Sequence, residues 1–380
     1  MIVSVDLFPV GVPYKSPEIS SVVFRRGVSA VLVKVRDSEG RIGWGEACVG
    51  ASSEAILSAL RTMVPFVVGR ETSDYEHIRA EIFHRGLWAY QPITGSYAWC
   101  AVEMALLDLV GQANDTPVWA LLGELQREEV DYFYYFSSGS TSYWDEQITL
   151  IEQGDYRIVY VKVGVDHDEE TALLRYLRKS LGPEIELRVD ANGAWNSADA
   201  HRILSGWSAE IGIGLCEQPV AEFPPQLMRE LREKVSVPLA ANEGMGPAPL
   251  AEVLIRERVA DVYTFSPYWV GGVSEFLRLS SLAADHQASI CRHTHGELGV
   301  AATAFHHVAL VTPALVRGNQ QTAAELEFDV VTEPVPTRTL SRWEKIDRPG
   351  LGIEVDEASL LRASEIYADS GQFLPYSPSR

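Results

Sequence analysis

Between Lys162 and His293 the chain places a polar residue near the end of an apolar run at a nearly constant interval. The runs end at Lys162 (RIVYVKVG), Asp190 (IELRVDANG), Glu217 (IGLCEQP), Glu243 (VPLAANEG), Ser266 (ADVYTFSP) and His293 (ASICRHTHG), with gaps of 28, 27, 26, 23 and 27 residues. One strand, one helix and two short connections use about that length, so the period predicts a stack of βα units. Such units close into barrels of parallel strands, and side chains at the carboxyl ends of the strands share one mouth. A lysine, three carboxylates and a histidine converging there would be an arrangement for chemistry.

The 380 residues suffice for two domains with cores of their own. A chain that is 46% hydrophobic and 22% charged reads as globular and soluble. No apolar run approaches the roughly 18 residues of a membrane helix. The opening MIVSVDLFPVGVPYK lacks the basic and apolar regions of a signal peptide. No membrane partner and a cytoplasmic location are therefore expected. Cys48, Cys100, Cys216 and Cys291 are far apart and read as reduced thiols. The net charge of −20 argues against nucleic acid, which calls for clustered Lys and Arg. An anionic substrate is still compatible, because a bound cation and a lysine reverse the potential inside a pocket.

Residues 1–48 read as antiparallel β, with a hairpin turn at Asp37-Ser38-Glu39-Gly40. Residues 52–112 read as helices, the first opened by a Ser cap and the last closed by Gly111. The first domain is thus set at residues 1–128. The barrel is expected over residues 129–331, from the strand EVDYFYYF to an eighth strand at AAELEFDVV, residues 323–331. Residues 332–380, rich in Pro and Gly at first, are expected to return across the first domain.

Asp190, Glu217 and Glu243 are hard oxygen donors at three successive strand ends, which suits Mg²⁺. Asn242, beside Glu243, offers an amide as the alternative third ligand. Lys162 precedes the acids in an otherwise apolar run. Desolvation and a nearby cation would lower its pKa towards that of a general base. His293 sits three strand ends beyond Glu243, where it could move a proton on the opposite face of a bound substrate. His295 shares its parity, and Glu297 is expected to begin the next helix.

This order resembles the enolase superfamily, and most of all its mandelate racemase and muconate lactonising branch. The motifs are Lys162 in KVG, Asp190 in VDANGAW, Glu217 in EQP, Glu243 in NEG, Gly271-Gly272 and a later strand-end histidine. AWCAVEMALLDLVGQANDTPVWALLG and RPGLGIEVDE extend the likeness to nearly the whole chain. The resemblance implies an α/β fold, a modified TIM barrel (β/α)₇β with an N-terminal α+β capping domain. It also implies an essential Mg²⁺ and removal of the proton α to a substrate carboxylate. Tyr160 stands where relatives often carry the first lysine of Lys-x-Lys. Ser266 stands where members with this histidine carry an aspartate.

The expected activity is an Mg²⁺-dependent dehydratase of a sugar acid or related hydroxy acid, giving a 2-keto product. Lys162 is the expected base, His293 the acid, and Asp190, Glu217 and Glu243 the ligands. Glu325 is a candidate to bind the enediolate, with Glu327 nearly as well placed. The alternative is a racemase or epimerase of an α-substituted acid. Two other classes fit the sequence less well: a zinc hydrolase using His293 and His295, and a silent binding protein. The partner is a small carboxylic acid, and a homo-oligomer is the expected assembly. Tyr14, Lys15 and Tyr90 are candidate substrate contacts, with the loops near residues 14–20 and 48–53.

Overall fold

The computed structural model describes residues 1–19, 24–48, 52–85, 92–136, 141–294, 296–333 and 337–374. Tyr90, His295 and residues 49–51 lie outside the described residues. Strands β1 (Ile2–Ile19), β2 (Phe24–Asp37) and β3 (Ile42–Cys48) form an antiparallel sheet in that order. The hairpin falls where the sequence predicts it. The Asp37 carboxylate accepts the backbone N–H groups of Glu39 and Arg41, each at 2.9 Å, and Gly40 supplies a φ of 84°.

Helix α1 (Ser53–Val67) opens at its Ser cap, where Ser52 accepts from the Ala55 N–H. Helices α2 (Tyr75–Arg85) and α3 (Pro92–Ala113) follow. Helix α3 presses onto β3 so closely that a Cβ on Gly45 would lie 1.8 Å from the Ala101 carbonyl oxygen. Among the described residues, Ile93–Ala113 form the one helix long and apolar enough to cross a bilayer, and 83% of its apolar window is buried within the fold. Gly111 lies inside this helix rather than at its end. A Cβ there would sit 2.6 Å from Gly350 Cα, so the glycine admits the carboxyl-terminal chain.

After the short α4 (Val118–Leu122) comes β4 (Glu129–Asp131), and then the βα succession begins. Its strands and helices are β5 (Tyr134–Phe136), α5 (Thr141–Gln153), β6 (Ile158–Lys162), α6 (His167–Leu181), β7 (Glu186–Asp190) and α7 (Ser197–Glu210). It continues through β8 (Ile213–Glu217), α8 (Gln226–Arg232), β9 (Leu239–Ala241), α9 (Ala248–Arg256) and β10 (Val262–Phe265). It closes with α10 (Pro267–Val270), α11 (Val273–Asp285), β11 (Ser289–Arg292) and α12 (Gly299–Val311). Strands β5 to β11 make one parallel sheet in sequential order. Lys162 pairs with Asp190 and Asp190 with Glu217, so these strand ends are in register.

Two strand expectations need correction. EVDYFYYF is two strands: β4 turns away and pairs antiparallel with β13 (Arg342–Glu344), itself paired to β12 (Thr337–Thr339). The eighth position in the barrel is filled by residues 315–320, not 323–331. Leu315 bridges Ile290 on one edge of the sheet, and Asn319 bridges Tyr132 beside the other. AAELEFDVV alternates for a different reason. It lies along the first domain, with Leu326 bridging Tyr14 and the Glu327 N–H donating to Pro13. Glu325 therefore ends a single 3₁₀ turn, Ala323–Glu325, beyond the barrel wall. Helix α13 (Glu357–Ser370) returns to pack on β1.

Candidate active site

Phe133, Ile158, Tyr160, Leu215, Ala240, Val262 and Cys291 form the barrel's inner core. Side chains alternate along a strand, so parity carries Lys162, Glu217, Asn242, Thr264, Ser266 and His293 to the same inner face, one step nearer the mouth. Asp190 joins them, fully buried. Its carboxylate accepts from the Tyr160 hydroxyl at 2.7 Å, from the Asn192 N–H at 2.8 Å, and from the Lys162 ammonium.

Burial alone would lower the Lys162 pKa, but the Asp190 and Glu217 charges outweigh it and hold the ammonium above its ordinary value. The sequence expectation of a lowered pKa is thus reversed: lysine here is the counter-ion of the acids. Glu217 is 3% exposed and accepts from Thr264 Oγ1 at 3.1 Å. Burial, then repulsion from Asp190, pushes its carboxyl well above the usual range. Glu243 stands at the rim and accepts from Asn192 Nδ2 at 2.9 Å. The protein packed round its carboxyl, followed by Asp190, raises it to about 7. Asn242 is buried and donates its amide to the Thr264 carbonyl oxygen at 2.8 Å.

Across the mouth, the Ser266 hydroxyl donates to the His293 carbonyl oxygen and lies 3.5 Å from His293 Nδ1. The His293 ring packs, tilted by 33°, with its centroid 4.5 Å from that of Trp269, whose Nε1 donates to Tyr97 of α3 at 2.8 Å. Glu297 does not start α12. Both its oxygens accept from Arg292, and Leu298 is the helix cap. Glu325 has its carboxyl pushed up to about 8, by burial first and by Glu18 next, with Arg25 opposing.

Three residues were missed by sequence reasoning. Asn192 links Lys162, at 3.0 Å, to Glu243, and its φ of 46° turns it back over the strand ends. Gln218 accepts from the N–H groups of both Asn242 and Glu243 and so fixes that strand end. Thr264 orients Glu217 and Asn242. Asn192 carried a signal, since Asn tolerates the left-handed conformation a sharp turn needs. Gln218 and Thr264 carried none.

Among the described residues, no three acid, histidine or cysteine side chains close round one point. The donor set nevertheless fits a hard divalent cation. Three carboxylates on consecutive strands repel one another, and a lysine relieves only part of that repulsion.

Residues 145–359 match the enolase C-terminal domain-like family, and residues 2–123 match the mandelate racemase / muconate lactonizing enzyme N-terminal domain. The chain is 26% identical to an N-succinyl-L-Arg/Lys racemase of Bacillus cereus, covering 94% of this chain and 96% of the relative. It is 25% identical to a D-galactonate dehydratase family member of Streptomyces bingchenggensis, over 88% and 90%. The muconate lactonizing enzyme of Pseudomonas fluorescens, solved with muconolactone, superimposes with a TM-score of 0.86 at 26% identity, covering 95% and 98%.

Proposed function

This chain belongs to the mandelate racemase/muconate lactonizing enzyme branch of the enolase superfamily, and on that footing we propose that it racemises or epimerises an α-substituted carboxylic acid. The observation that carries this reading is the placement of two proton-handling side chains. Lys162 and His293 end strands five apart and face one mouth, with the carboxylates on strands between them. A proton taken from one face of an α-carbon and returned from the other inverts that carbon.

Asp190, Glu217 and Glu243 would hold Mg²⁺, with Asn242 behind them anchoring the strand end. Such an ion would stabilise negative charge on the substrate carboxylate and would take over the neutralisation that Lys162 now provides. Lys162, relieved of its ion pair and mostly buried, then accepts a proton. His293, held between Ser266 and Trp269, serves the other face. Tyr160 keeps Asp190 in place through its hydroxyl.

The test uses single enantiomers of α-substituted acids in D₂O with Mg²⁺. Appearance of the opposite enantiomer with deuterium at the α-carbon supports the reading. Net loss of water to a 2-keto acid would overturn it in favour of the dehydratase expected from sequence. That second reading draws on the dehydratase-family relative and on Ser266, whose hydroxyl beside His293 suits the histidine to protonating a leaving group.

A further inference from the structure

A cavity of about 670 Å³ opens beside the site, between β5, α5, the segment Lys15–Glu18 and the turn that carries Glu325. We propose that it receives a cationic tail, an ammonium or guanidinium, borne by the acid whose α-carbon reacts at Lys162. The inference rests on the proposed reaction and names the substrate class. The cavity adjoins the catalytic centre through Tyr135, which lines it and whose ring lies 5.8 Å from that of Tyr160.

Its walls combine aromatic faces with carboxylates. Phe133, Tyr134, Tyr135, Tyr143 and Tyr156 supply the rings, and Glu18, Glu146 and Glu325 the acids. Aromatic faces with an acid at hand are the usual surroundings of a bound organic cation. Among the described lining residues Lys15 is the one base, and its ammonium donates to the Ala324 carbonyl oxygen at 2.9 Å. Arg25, behind this wall, is already paired with Glu18 at 3.3 Å, which leaves Glu325 and Glu146 as the acids that meet a cationic tail.

Two further observations point to a missing partner. The Tyr135 hydroxyl is closed off from solvent and meets no hydrogen-bond partner, though it lies in the field of Glu18, Glu325 and Asp190. Such an orphan is costly, so a small turn of the ring towards an occupant of the cavity it lines would be favoured. Glu325 is held protonated near neutrality by burial and by Glu18. A cation entering beside it would let it ionise and would form an ion pair screened from water.

The experiment follows α-proton exchange in D₂O, by NMR, for three N-acetyl amino acids with the Mg²⁺-loaded protein. N-acetyl-lysine carries the ammonium, N-acetyl-norleucine a methyl, and N-acetyl-2-aminoadipate a carboxylate. The lysine derivative is expected to exchange with kcat/KM at least about 10-fold above the other two, a gap of about 1.4 kcal/mol. Glu325→Gln should erase most of that preference while leaving the norleucine derivative within about threefold. Glu146→Lys, on the exposed face of α5, is a second variant that leaves the fold intact. It should shift preference towards the aminoadipate derivative. Equal rates for the three tails, or a preference for the carboxylate in the unmodified protein, would overturn the cavity assignment and leave the reaction standing. Exchange in none of these acids, nor in a wider panel of α-substituted acids, would overturn both.

Discussion

Asp190 takes three hydrogen bonds, from Tyr160, Asn192 and Lys162, so each of those neighbours acts on the site through one carboxylate. Tyr160→Phe removes one donor without changing shape. It should weaken Mg²⁺ binding by roughly 10–100-fold, as loss of a group that orients a metal ligand does; titration calorimetry with Mg²⁺ reads this, and an unchanged affinity would remove Tyr160 from the site. The two faces of the substrate separate Lys162 from His293. Lys162→Ala should abolish α-proton exchange by roughly 10²–10⁴-fold for one enantiomer and spare the other, and His293→Asn should show the opposite preference. Loss of exchange for both enantiomers in both variants would rule out two independent proton carriers. Lys162, Asp190 and Glu217 were legible in the sequence because apolar runs bracket them and fix their period. The direction of the Lys162 pKa was not, because it depends on how closely Asp190 and Glu217 approach across neighbouring strands.

At the scale of elements, the period foretold the parallel strands, and it failed at the eighth. Residues 315–320 read LVRGNQ, with too few apolar side chains to look like a strand. Their place is fixed by main-chain bonds such as Val316 N–H to Ile290 and Gln320 N–H to Arg292, and by the Arg188 guanidinium donating to the carbonyl oxygens of Arg317 and Gly318. Helix α12, which follows the His293 loop, begins on two carboxylates from elsewhere. Glu46 of β3 accepts from the N–H groups of Leu298 and Ala301, and Asp329 accepts from Gly299. Acceptors at a helix start satisfy N–H groups that have no partner within the helix, and Glu46 fills that role although burial pushes its carboxyl well above the usual range. Glu46→Gln turns an amide donor towards one of them and should cost about 1–3 kcal/mol, read as a lower urea midpoint. An unchanged midpoint would mean that water or a shifted loop replaces Glu46. No sequence pattern announced this contact, since Glu46 and Leu298 are 252 residues apart.

Across the whole molecule, His306 and His307 lie fully buried on α12 and are held neutral, with pKa values lowered to about 3 and about 4. His307 titrates at about 4 when folded and near 6.5 when unfolded. Between those values only the unfolded chain takes up the proton, so acidification favours unfolding. His307→Gln removes that penalty. Its stability deficit at pH 7 should shrink by about 2 kcal/mol at pH 5, since each pH unit is worth about 1.4 kcal/mol per group. Parallel urea melts at the two pH values check it, and a constant gap would show that His307 is not neutral in the fold. The seam between the first sheet and the barrel shows a related economy. Glu46 reaches α12, Glu103 accepts from the N–H groups of Val273 and Ser274 at the start of α11, and Asp108 accepts from Trp44 and Leu351. Gly272 belongs to that seam, because its φ of 111° and its missing Cβ make room for the Glu103 carboxylate. Anyone grafting a foreign cap onto this barrel, to borrow another specificity, would have to build those three acids into it, to match the glycine that the barrel keeps. A cap without them would leave helix starts stranded in a dry interface, so the two bodies are heritable only as a matched pair.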